Sequence, residues 1–212
     1  MKISIIPRTF SIISKNTVNI NDLTDVDILN LIGREPVKHD LLACKDLIKD
    51  KVIIVTGAAG SIGSKLVKLL CDLEPRLIVC VDWWENGIFY LQQELAHKKN
   101  VVFRIADIKN PYIVNLIFKQ YKPNILFHAA AYKHVPLMQD NAIEAFNNNV
   151  WGSYNLMSQA IQHKIKNFVY VSTDKAVNPV NVMGTTKRLG EMILEVLADS
   201  QDLTKFNRVV VE

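Results

Sequence analysis

The sequence of 212 residues has no long hydrophobic run, and this absence excludes a membrane span. A helix that crosses a bilayer needs about 20 mostly apolar residues. The apolar part of segment 1–7 is also too short for a signal peptide. The sequence therefore predicts a chain that is soluble and cytoplasmic and makes no membrane contact of its own.

Cysteine and clustered charge are also scarce. Cys44, Cys71 and Cys80 have no metal-ligand spacing and leave an odd thiol, which favours buried free thiols in a reducing compartment. The formal net charge is only +4, and the lysines are spread along the chain instead of forming one basic stripe. We expect neither a metal site nor a nucleic-acid partner.

From Lys51 onward the chain alternates regularly between strands and helices. Short apolar runs predict strands at 52–56, 77–82, 101–105, 125–128, 168–172 and 208–211. Helical patterns lie between them, at 62–73, 88–97, 111–120, 143–163 and 182–197. The predicted fold class is α/β, a Rossmann-type doubly wound parallel sheet of six strands in the order 3-2-1-4-5-6.

The first 50 residues do not follow this alternation, so we predict an N-terminal arm or linker at 1–50 and a Rossmann domain at 51–212. The run from Ile3 to Ile6 predicts a short strand that ends at Pro7. The sequence Thr24-Asp-Val-Asp27 resembles a capping box that starts a helix, with Gly33 at its end.

The loop Thr56-Gly57-Ala-Ala-Gly60-Ser61-Ile62-Gly63 joins the first strand of this domain to its helix. In such a loop the first glycine turns the chain, the second lets backbone N–H groups approach a pyrophosphate, and the third lets helix and strand pack closely. The start of the helix adds partial positive charge. The position between a strand and a helix favours a dinucleotide site over a purely structural turn.

Asp82 ends the second strand, where a carboxylate accepts hydrogen bonds from an adenosine ribose and repels a 2′-phosphate. Trp83 and Trp84 follow it and supply no arginine for such a phosphate, so NAD is favoured over NADP. These tryptophans either flank an adenine or belong to the partly buried core. Further predicted cofactor contacts, after the third and fourth strands, are Asp107, Ile108, Ala129 and Ala130.

Two polar residues near these strands have structural interpretations. His128 is interpreted as a core histidine with satisfied hydrogen bonds, and Asn149 as a structural hydrogen-bonding residue in the long helix. We expect neither to take part in chemistry.

Polar residues also follow the fifth strand, where open α/β sheets place their chemistry. Asp174 and Lys175 are an adjacent acid and amine, and they can move protons if they face a ligand. Met183 and Lys187 lie one turn apart on the next helix and therefore on the same face. An isolated Asp-Lys pair in solvent would instead be an ordinary turn.

Three motifs combine in this chain: the glycine loop 56–63, His128-Ala-Ala-Ala-Tyr-Lys-His-Val-Pro136, and Ser172-Thr-Asp-Lys-Ala-Val-Asn-Pro-Val-Asn-Val-Met-Gly-Thr-Thr-Lys187. Together they resemble the UDP-N-acetylglucosamine 4,6-dehydratases of the extended short-chain dehydrogenase/reductase superfamily. This branch serves bacterial capsule, O-antigen and glycoprotein sugar synthesis. The first motif is superfamily-wide, whereas the other two are specific to the branch.

The resemblance covers most of Leu31 to Arg208. Large members of the family are membrane-anchored and continue past the sixth strand into a substrate-binding region. The resemblance therefore implies that this chain is a fragment, the cytoplasmic part of a larger protein with a truncated substrate region. It also implies NAD as cofactor, a UDP-N-acetylhexosamine as substrate and a homo-oligomer.

The implied reaction oxidises C4 of the sugar, eliminates water across C5 and C6, and reduces C6. Asp174 would donate a proton to the C6 hydroxyl and Lys175 would take the C5 proton. Both roles need the neutral form, which burial under substrate favours. Lys187 would hold the nicotinamide ribose. Met183 replaces the tyrosine of most superfamily members and has no ionisable proton, so we expect Thr173 with a water to take the C4-hydroxyl proton.

Lys133 and His134 resemble the family's substrate-side loop, although a solvated loop lysine is an equal alternative for Lys133. A sugar-nucleotide 4-epimerase is the alternative enzyme, and it would be expected to keep tyrosine at 183 and lack the Asp174-Lys175 pair. A non-catalytic NAD-binding or assembly module is the alternative of another class.

Overall fold

The computed structural model describes residues 4–5, 24–25, 41–199 and 205–211, with side chains over 44–199. The chain divides into two compact units, 1–40 and 41–212. In the first unit, β1 (Ser4–Ile5) pairs antiparallel with β2 (Thr24–Asp25). The capping box predicted at Thr24 is therefore wrong, because Thr24 and Asp25 pair as a strand. The rest of the helix predicted there lies outside the described residues.

The second unit contains a parallel sheet with the order β5-β4-β3-β6-β7-β8. Its strands are β3 (Val52–Thr56), β4 (Leu77–Asp82), β5 (Val101–Ile105), β6 (Ile125–His128), β7 (Asn167–Thr173) and β8 (Lys205–Val211). The predicted α/β fold class is confirmed. The order reverses between β3 and β6, and ligands of open α/β sheets bind beside the carboxyl ends of strands at such a point.

Helices cover both faces of this sheet. They are α1 (Leu41–Ile48), α2 (Ser61–Cys71), α3 (Glu85–Glu94), α4 (Pro111–Tyr121), α5 (Val135–Asp140), α6 (Ala142–Phe146), α7 (Gly152–Gln162) and α8 (Val182–Asp199). Ile48 of α1 packs into the core of this unit. The division between the units therefore lies at residues 40 and 41, ten residues before the boundary taken from the sequence. Among the described residues, no helix is both long and apolar enough to span a membrane.

The core forms on both faces of the sheet, and every residue of β3 is therefore buried. Neighbouring residues of a strand point to opposite faces. Ile53 accordingly packs with Val67 of α2, whereas Ile54 packs with Phe118 of α4 and Leu156 of α7. Because helices cover both faces, a ligand can approach the sheet at its carboxyl edge, where the chain leaves each strand for the next helix.

Helix α4 begins as the sequence predicts. The Asn110 side-chain oxygen accepts hydrogen bonds from the backbone N–H groups of Tyr112 and Ile113, at 3.1 and 3.3 Å. Pro111 occupies the first turn, where its missing N–H has no helical partner to lose. Lys122 closes the helix in the left-handed region, with φ of 47°.

The single helix predicted over 143–163 is interrupted. A π-helical turn at Asn147–Trp151 separates α6 from α7. Such turns insert a residue into the helix and often occur at functional sites. Here the turn contains Asn149, whose side chain donates to the Tyr132 carbonyl and to Thr186 Oγ1, both at 3.0 Å. Asn149 therefore ties the loop after β6 to α8, which confirms its structural role.

Candidate active site

A cavity of about 700 Å³ lies at the carboxyl edge of β3, β4, β6 and β7. Its volume falls in the range of about 300–1,000 Å³ that is typical of ligand sites. The predicted site residues that line it are Gly57, Gly60, Ser61, Ile62, Asp82, Ile108, Ala129, Ala130, Lys133, His134, Thr173, Lys175, Met183 and Lys187. Gly63, Asp107 and Asp174 are not among the residues that line it.

The glycine loop is closed by contacts that leave no room for side chains. Gly57 has φ of +70°, and a Cβ there would lie 2.5 Å from the Ala130 nitrogen. A Cβ on Gly63 would lie 2.0 Å from the Gly57 carbonyl oxygen. No side chain caps α2 at Gly60. The first N–H groups of a helix have no partner within it, so the loop offers backbone donors and a helix dipole to an anion.

Asp82 holds two parts of the cavity wall together. Asp82 is 9% exposed. One oxygen accepts from the Ala59 N–H at 3.0 Å and the other from the Trp84 N–H at 3.1 Å. Each carboxylate oxygen can accept more than one hydrogen bond. Asp82 can therefore fix the glycine loop and still accept from a ribose hydroxyl.

The two tryptophans after Asp82 are cavity residues and not core. Trp83 and Trp84 both line the cavity, and they are 56% and 47% exposed. The Trp84 ring is fixed against Gly87, since a Cβ on that glycine would lie 2.2 Å from Trp84 Cε3. Trp83 is left as the more exposed apolar surface at this end of the cavity.

Of the two neighbours Asp107 and Ile108, only Ile108 is among the residues that line the cavity. The Asp107 carboxylate accepts from the Lys109 N–H at 2.9 Å and lies 3.6 Å from Lys109 Nζ. Ile108 is 6% exposed and lines the cavity. The cofactor contact predicted for Ile108 is thus compatible with its place, whereas the Asp107 carboxylate is bound to its own loop.

His128 lies behind the cavity in a chain of buried hydrogen bonds. Ser153 donates to the Asn149 carbonyl at 2.6 Å, so its oxygen accepts from His128 Nε2 at 2.8 Å. The Nδ1 atom then accepts from Thr56 Oγ1, also at 2.8 Å. Burial and the charge of Lys187 lower the pKa of His128 well below its ordinary value. His128 is therefore a neutral core histidine, as the sequence predicts.

Strand β7 ends in a hydrogen-bonded polar turn. Thr173 Oγ1 accepts from the Lys175 N–H at 3.4 Å and donates to Asp174 Oδ1 at 2.9 Å. The Lys175 Nζ donates to the same Asp174 oxygen at 3.0 Å. The side chains of Asp174 and Lys175 are each 48% exposed. One carboxylate oxygen therefore receives two donors, both from residues that line the cavity.

The hydrogen bonds of the turn determine the direction in which the pKa of Asp174 moves. The hydrogen bond from Lys175, followed by that from Thr173, lowers the pKa of this carboxyl. The Asp174 side chain is half exposed here, and the burial under substrate that would favour its neutral form stays a prediction. Asp174 is therefore ionised in this structure, and an acid role requires that it gain a proton during the reaction.

Lys187 and Met183 form the wall beside this turn. The Lys187 Nζ donates to the Val171 carbonyl at 2.7 Å and lies 3.9 Å from the centre of the Tyr170 ring. Burial lowers the pKa of Lys187 to about 7, and the charge of Glu191 opposes this shift. Met183 is 4% exposed and packs with Met138 and Ala145. The helical spacing predicted for the pair is thus confirmed, with both residues facing the cavity.

Lys133 reaches the start of α2. Its Nζ lies 3.4 Å from Ser61 Oγ, at the end of the glycine loop. The substrate contact of Lys133 stays a prediction. His134 precedes α5 and makes no capping hydrogen bond with its side chain.

The sequence profile of the family described as polysaccharide biosynthesis protein matches residues 53–211. The chain belongs to this family. The capsular polysaccharide biosynthesis protein CapD of Staphylococcus aureus is 39% identical to it over 193 residues, which are 89% of this chain and 32% of CapD. This polysaccharide biosynthesis protein thus spans about a third of the length of that relative.

Two further comparisons identify an epimerase sequence and a dehydratase structure that are similar to this chain. The UDP-glucose 4-epimerase of Rickettsia rickettsii is 36% identical over 150 residues, which are 68% of this chain and 42% of the epimerase. The structure of the dTDP-glucose 4,6-dehydratase DesIV from Streptomyces venezuelae, with NAD and TYD bound, superposes with a TM-score of 0.68. It is 20% identical and covers 74% of this chain and 55% of DesIV. That superposition shows a shared fold.

Sequence reasoning missed two residues of the site in this polysaccharide biosynthesis protein. The buried Ser172 hydroxyl has no hydrogen-bond partner among the described residues. A Cβ on Gly184 would lie 2.2 Å from the Lys175 carbonyl oxygen. Glycine in a helix costs about 1 kcal/mol relative to alanine. A glycine in the first turns of α8 was therefore a usable signal for close packing against the Asp174 turn.

The buried Lys187 predicts a specific dependence of stability on pH. Between about 7 and its ordinary pKa of 10.5, the unfolded chain binds a proton that the folded chain has released. The free energy of unfolding should therefore rise with pH across this window, with a slope approaching about 1.4 kcal/mol per pH unit from this residue. Lys187→Met should lack this contribution. Urea unfolding of both proteins at several pH values measures the difference, and parallel curves would contradict the prediction.

Proposed function

We propose that the protein is a nucleotide-sugar 4,6-dehydratase that converts UDP-N-acetylglucosamine to UDP-4-keto-6-deoxy-N-acetylhexosamine in bacterial polysaccharide synthesis. The observation that carries the proposal is the arrangement of one cavity. A glycine loop lines it together with Thr173, Lys175 and Lys187, and both Thr173 and Lys175 donate hydrogen bonds to Asp174 behind them. The capsular role in the name of CapD supports the proposed setting.

The cavity residues fit NAD. Gly57 and Gly63 form a close-packed loop at a helix start, and Asp82 has carboxylate oxygens with spare capacity for a ribose. Lys133, beside Ser61, adds positive charge where a pyrophosphate would lie. When bound, NAD would accept hydride from C4 of the sugar and later return hydride to C6. The carboxylate of Asp82 would disfavour the 2′-phosphate of NADP.

The residues of the turn would then handle the protons. Lys175 lines the cavity and would take the C5 proton in its neutral form. Asp174 would supply the proton that lets the C6 oxygen leave as water. Lys187, held at the cavity wall by the Val171 carbonyl, would bind the nicotinamide ribose hydroxyls.

A UDP-sugar 4-epimerase is the second candidate, favoured by the 36% identity to the Rickettsia enzyme. An epimerase uses the same hydride step but eliminates no water, so it has no need of an acid and an amine at the end of β7. The Met183 side chain also offers no phenol for the C4-hydroxyl proton. These two features support the dehydratase.

Product analysis tests the proposal. The chain, and a version extended to the length of its relatives, are incubated with UDP-N-acetylglucosamine and NAD, and the products are identified by mass spectrometry and NMR. We expect a 4-keto-6-deoxy sugar, and at least about tenfold less of it when NADP replaces NAD, because each 1.4 kcal/mol of repulsion changes binding tenfold. Formation of UDP-N-acetylgalactosamine would identify an epimerase instead. Binding of NAD without turnover by either version would identify a non-catalytic module.

A further inference from the structure

We propose that Tyr170 is a positioning residue for Lys187, and that the face of its ring holds the Lys187 ammonium group at the wall of the cavity. Tyr170 is fully buried and is not among the residues that line the cavity. It can therefore act on a ligand only through Lys187. The consequence for the cofactor rests on the proposed function, in which Lys187 binds the nicotinamide ribose.

The Lys187 amine makes two contacts behind the cavity wall. Its Nζ lies 3.9 Å from the centre of the Tyr170 ring and donates to the Val171 carbonyl at 2.7 Å. A lysine ammonium has three N–H donors, and the face of an aromatic ring attracts a cation within about 6 Å. The carbonyl takes one donor and the ring face a second. The third remains for a ligand, since Lys187 lines the cavity.

A charged amine at this place needs the support of the ring. Lys187 is buried, and burial lowers its pKa to about 7. The charge of Glu191 opposes this shift. That carboxylate is shared, however, because Arg188 Nη1 donates to it at 2.9 Å. The ring face of Tyr170 is the partner that lies directly against the amine, and it favours the protonated form.

The other ionisable groups around Lys187 do not duplicate this contact. Burial and the charge of Lys187 lower the pKa of His128, so its ring is neutral. Burial raises the pKa of Tyr170, so Lys187 meets a neutral ring and no phenolate. Among the described side chains, the charged groups on the elements that pack against α8 are exposed: Asp140 of α5, Glu144 of α6, and Asp174 and Lys175 after β7.

The ring is itself held in one orientation. The centres of the Tyr170 and His128 rings lie 5.5 Å apart. A Cβ on Gly190 would lie 2.3 Å from the Tyr170 hydroxyl oxygen and 2.9 Å from its Cζ. Gly190 lies inside α8, where glycine is a poor helix former, three residues after Lys187. The missing side chain at Gly190 thus leaves the space that the Tyr170 hydroxyl occupies, and Lys187 lies over the same ring.

A titration without ligand tests the contact. In protein labelled with [13C]lysine, the Cε signal that disappears in Lys187→Met reports the pKa of Lys187. We expect Tyr170→Leu to lower the pKa of Lys187 by about one pH unit, which corresponds to about 1.4 kcal/mol and lies within the range of cation–π contacts. Tyr170→Phe keeps the ring face and should keep the pKa.

Phe168→Leu is the matched control. Phe168 belongs to the same strand, and its ring contacts His128 at 6.2 Å between centres. This variant loses a buried ring from the same core but should titrate like wild type. A purely structural Tyr170 would lower stability in Tyr170→Leu and leave the pKa of Lys187 unchanged, and that result overturns the inference.

Gly190→Ala tests the same contact from the helix. The added methyl group would displace the Tyr170 ring, so the pKa of Lys187 should fall. Tyr170→Phe in the same chain removes the nearest atom and leaves Cζ at 2.9 Å, so it should restore part of the shift. A fall with recovery in the double variant supports the inference. Wild-type values in both variants overturn it.

NAD affinity measures the consequence for the ligand. At pH 7, Tyr170→Leu should bind NAD about fivefold more weakly than wild type, because a pKa lower by one unit leaves about a fifth as many charged amines. Acid restores the ammonium, so the difference should nearly vanish at pH 5.5. Tyr170→Phe should match wild type at both values. Equal affinity of Tyr170→Leu and wild type at pH 7 would overturn the role toward the cofactor.

The two proposals fail separately. A wild-type protein that binds NAD but forms no 4-keto-6-deoxy sugar refutes the proposed dehydratase. The titration of Lys187 needs neither substrate nor turnover, so an unshifted pKa in Tyr170→Leu refutes the inference alone.

Discussion

Gly63→Ala is expected to abolish NAD binding and to lower the free energy of unfolding by about 3 kcal/mol, the upper end of typical overpacking costs. The added methyl group would lie 2.0 Å from the Gly57 carbonyl oxygen and 2.9 Å from the Ala58 Cα. These neighbours are backbone atoms, and they cannot rotate away. Gly57 is itself packed against the backbone of Ala129 and Ala130. The glycine loop must therefore shift as a whole, and its N–H groups would no longer converge on a pyrophosphate.

Calorimetric titration with NAD and urea unfolding measure the two effects. Lys65→Ala is the matched control, since Lys65 is an exposed position in the same helix and its replacement adds no atoms near the loop. The control should keep both NAD affinity and stability close to wild type. Normal NAD affinity in Gly63→Ala would show that the loop does not hold the cofactor.

Gly184→Ala is expected to reduce turnover about 100-fold while NAD affinity changes little, since a misplacement of about 1 Å in catalytic groups can have an effect of this size. The new Cβ would lie 2.2 Å from the Lys175 carbonyl oxygen and 3.3 Å from Pro179 Cβ. Either α8 or the turn at Asp174–Ala176 must move. The turn is the shorter and more exposed element, so the Lys175 amine would leave its position at the cavity.

Helix propensity favours alanine at position 184, so it opposes the expected loss of turnover. Alanine is favoured over glycine within a helix by about 1 kcal/mol, so a loss can arise only from the contact with the turn. Thr185→Ala is the control at the next position, where the side chain is exposed and donates a hydrogen bond to the Asn181 carbonyl of its own helix. Single-turnover assays and NAD titration should separate the two variants. Equal turnover in both would show that the turn does not depend on Gly184.

The strands that build the site could be predicted from the sequence almost to the residue. The bounds of β3, β4, β5 and β6 agree with the predicted strands. Each is a short apolar run with polar residues or glycine at its end, and a strand buried on both faces produces such a pattern. The start of α4 could be predicted for a similar reason, because Asn110 and Pro111 act locally on the helix.

The state of the turn at Asp174–Ala176 could not be predicted in this way. The motif places Asp174 and Lys175 after β7, but the burial of their side chains depends on how the turn packs against α8. The ionisation of Asp174 follows from its bonds to Thr173 and Lys175, and sequence spacing does not report those bonds. The position of Lys133 beside Ser61 likewise depends on the path of the loop after β6, 72 residues away from the glycine loop.

The contacts of the site also determine the order in which parts of the chain can fold during synthesis. The glycine loop closes against Ala129 and Ala130, and Thr56 bonds to His128, a residue made 72 positions later. Central strands β3 and β6 pair only after β4, β5 and three helices have been synthesised between them. Contacts between such distant residues form slowly because a long loop must close first. A nascent chain therefore carries its glycine loop through the synthesis of the 72 residues that separate Thr56 from His128 before the surface that completes the loop exists, and a dinucleotide could assist folding only after that.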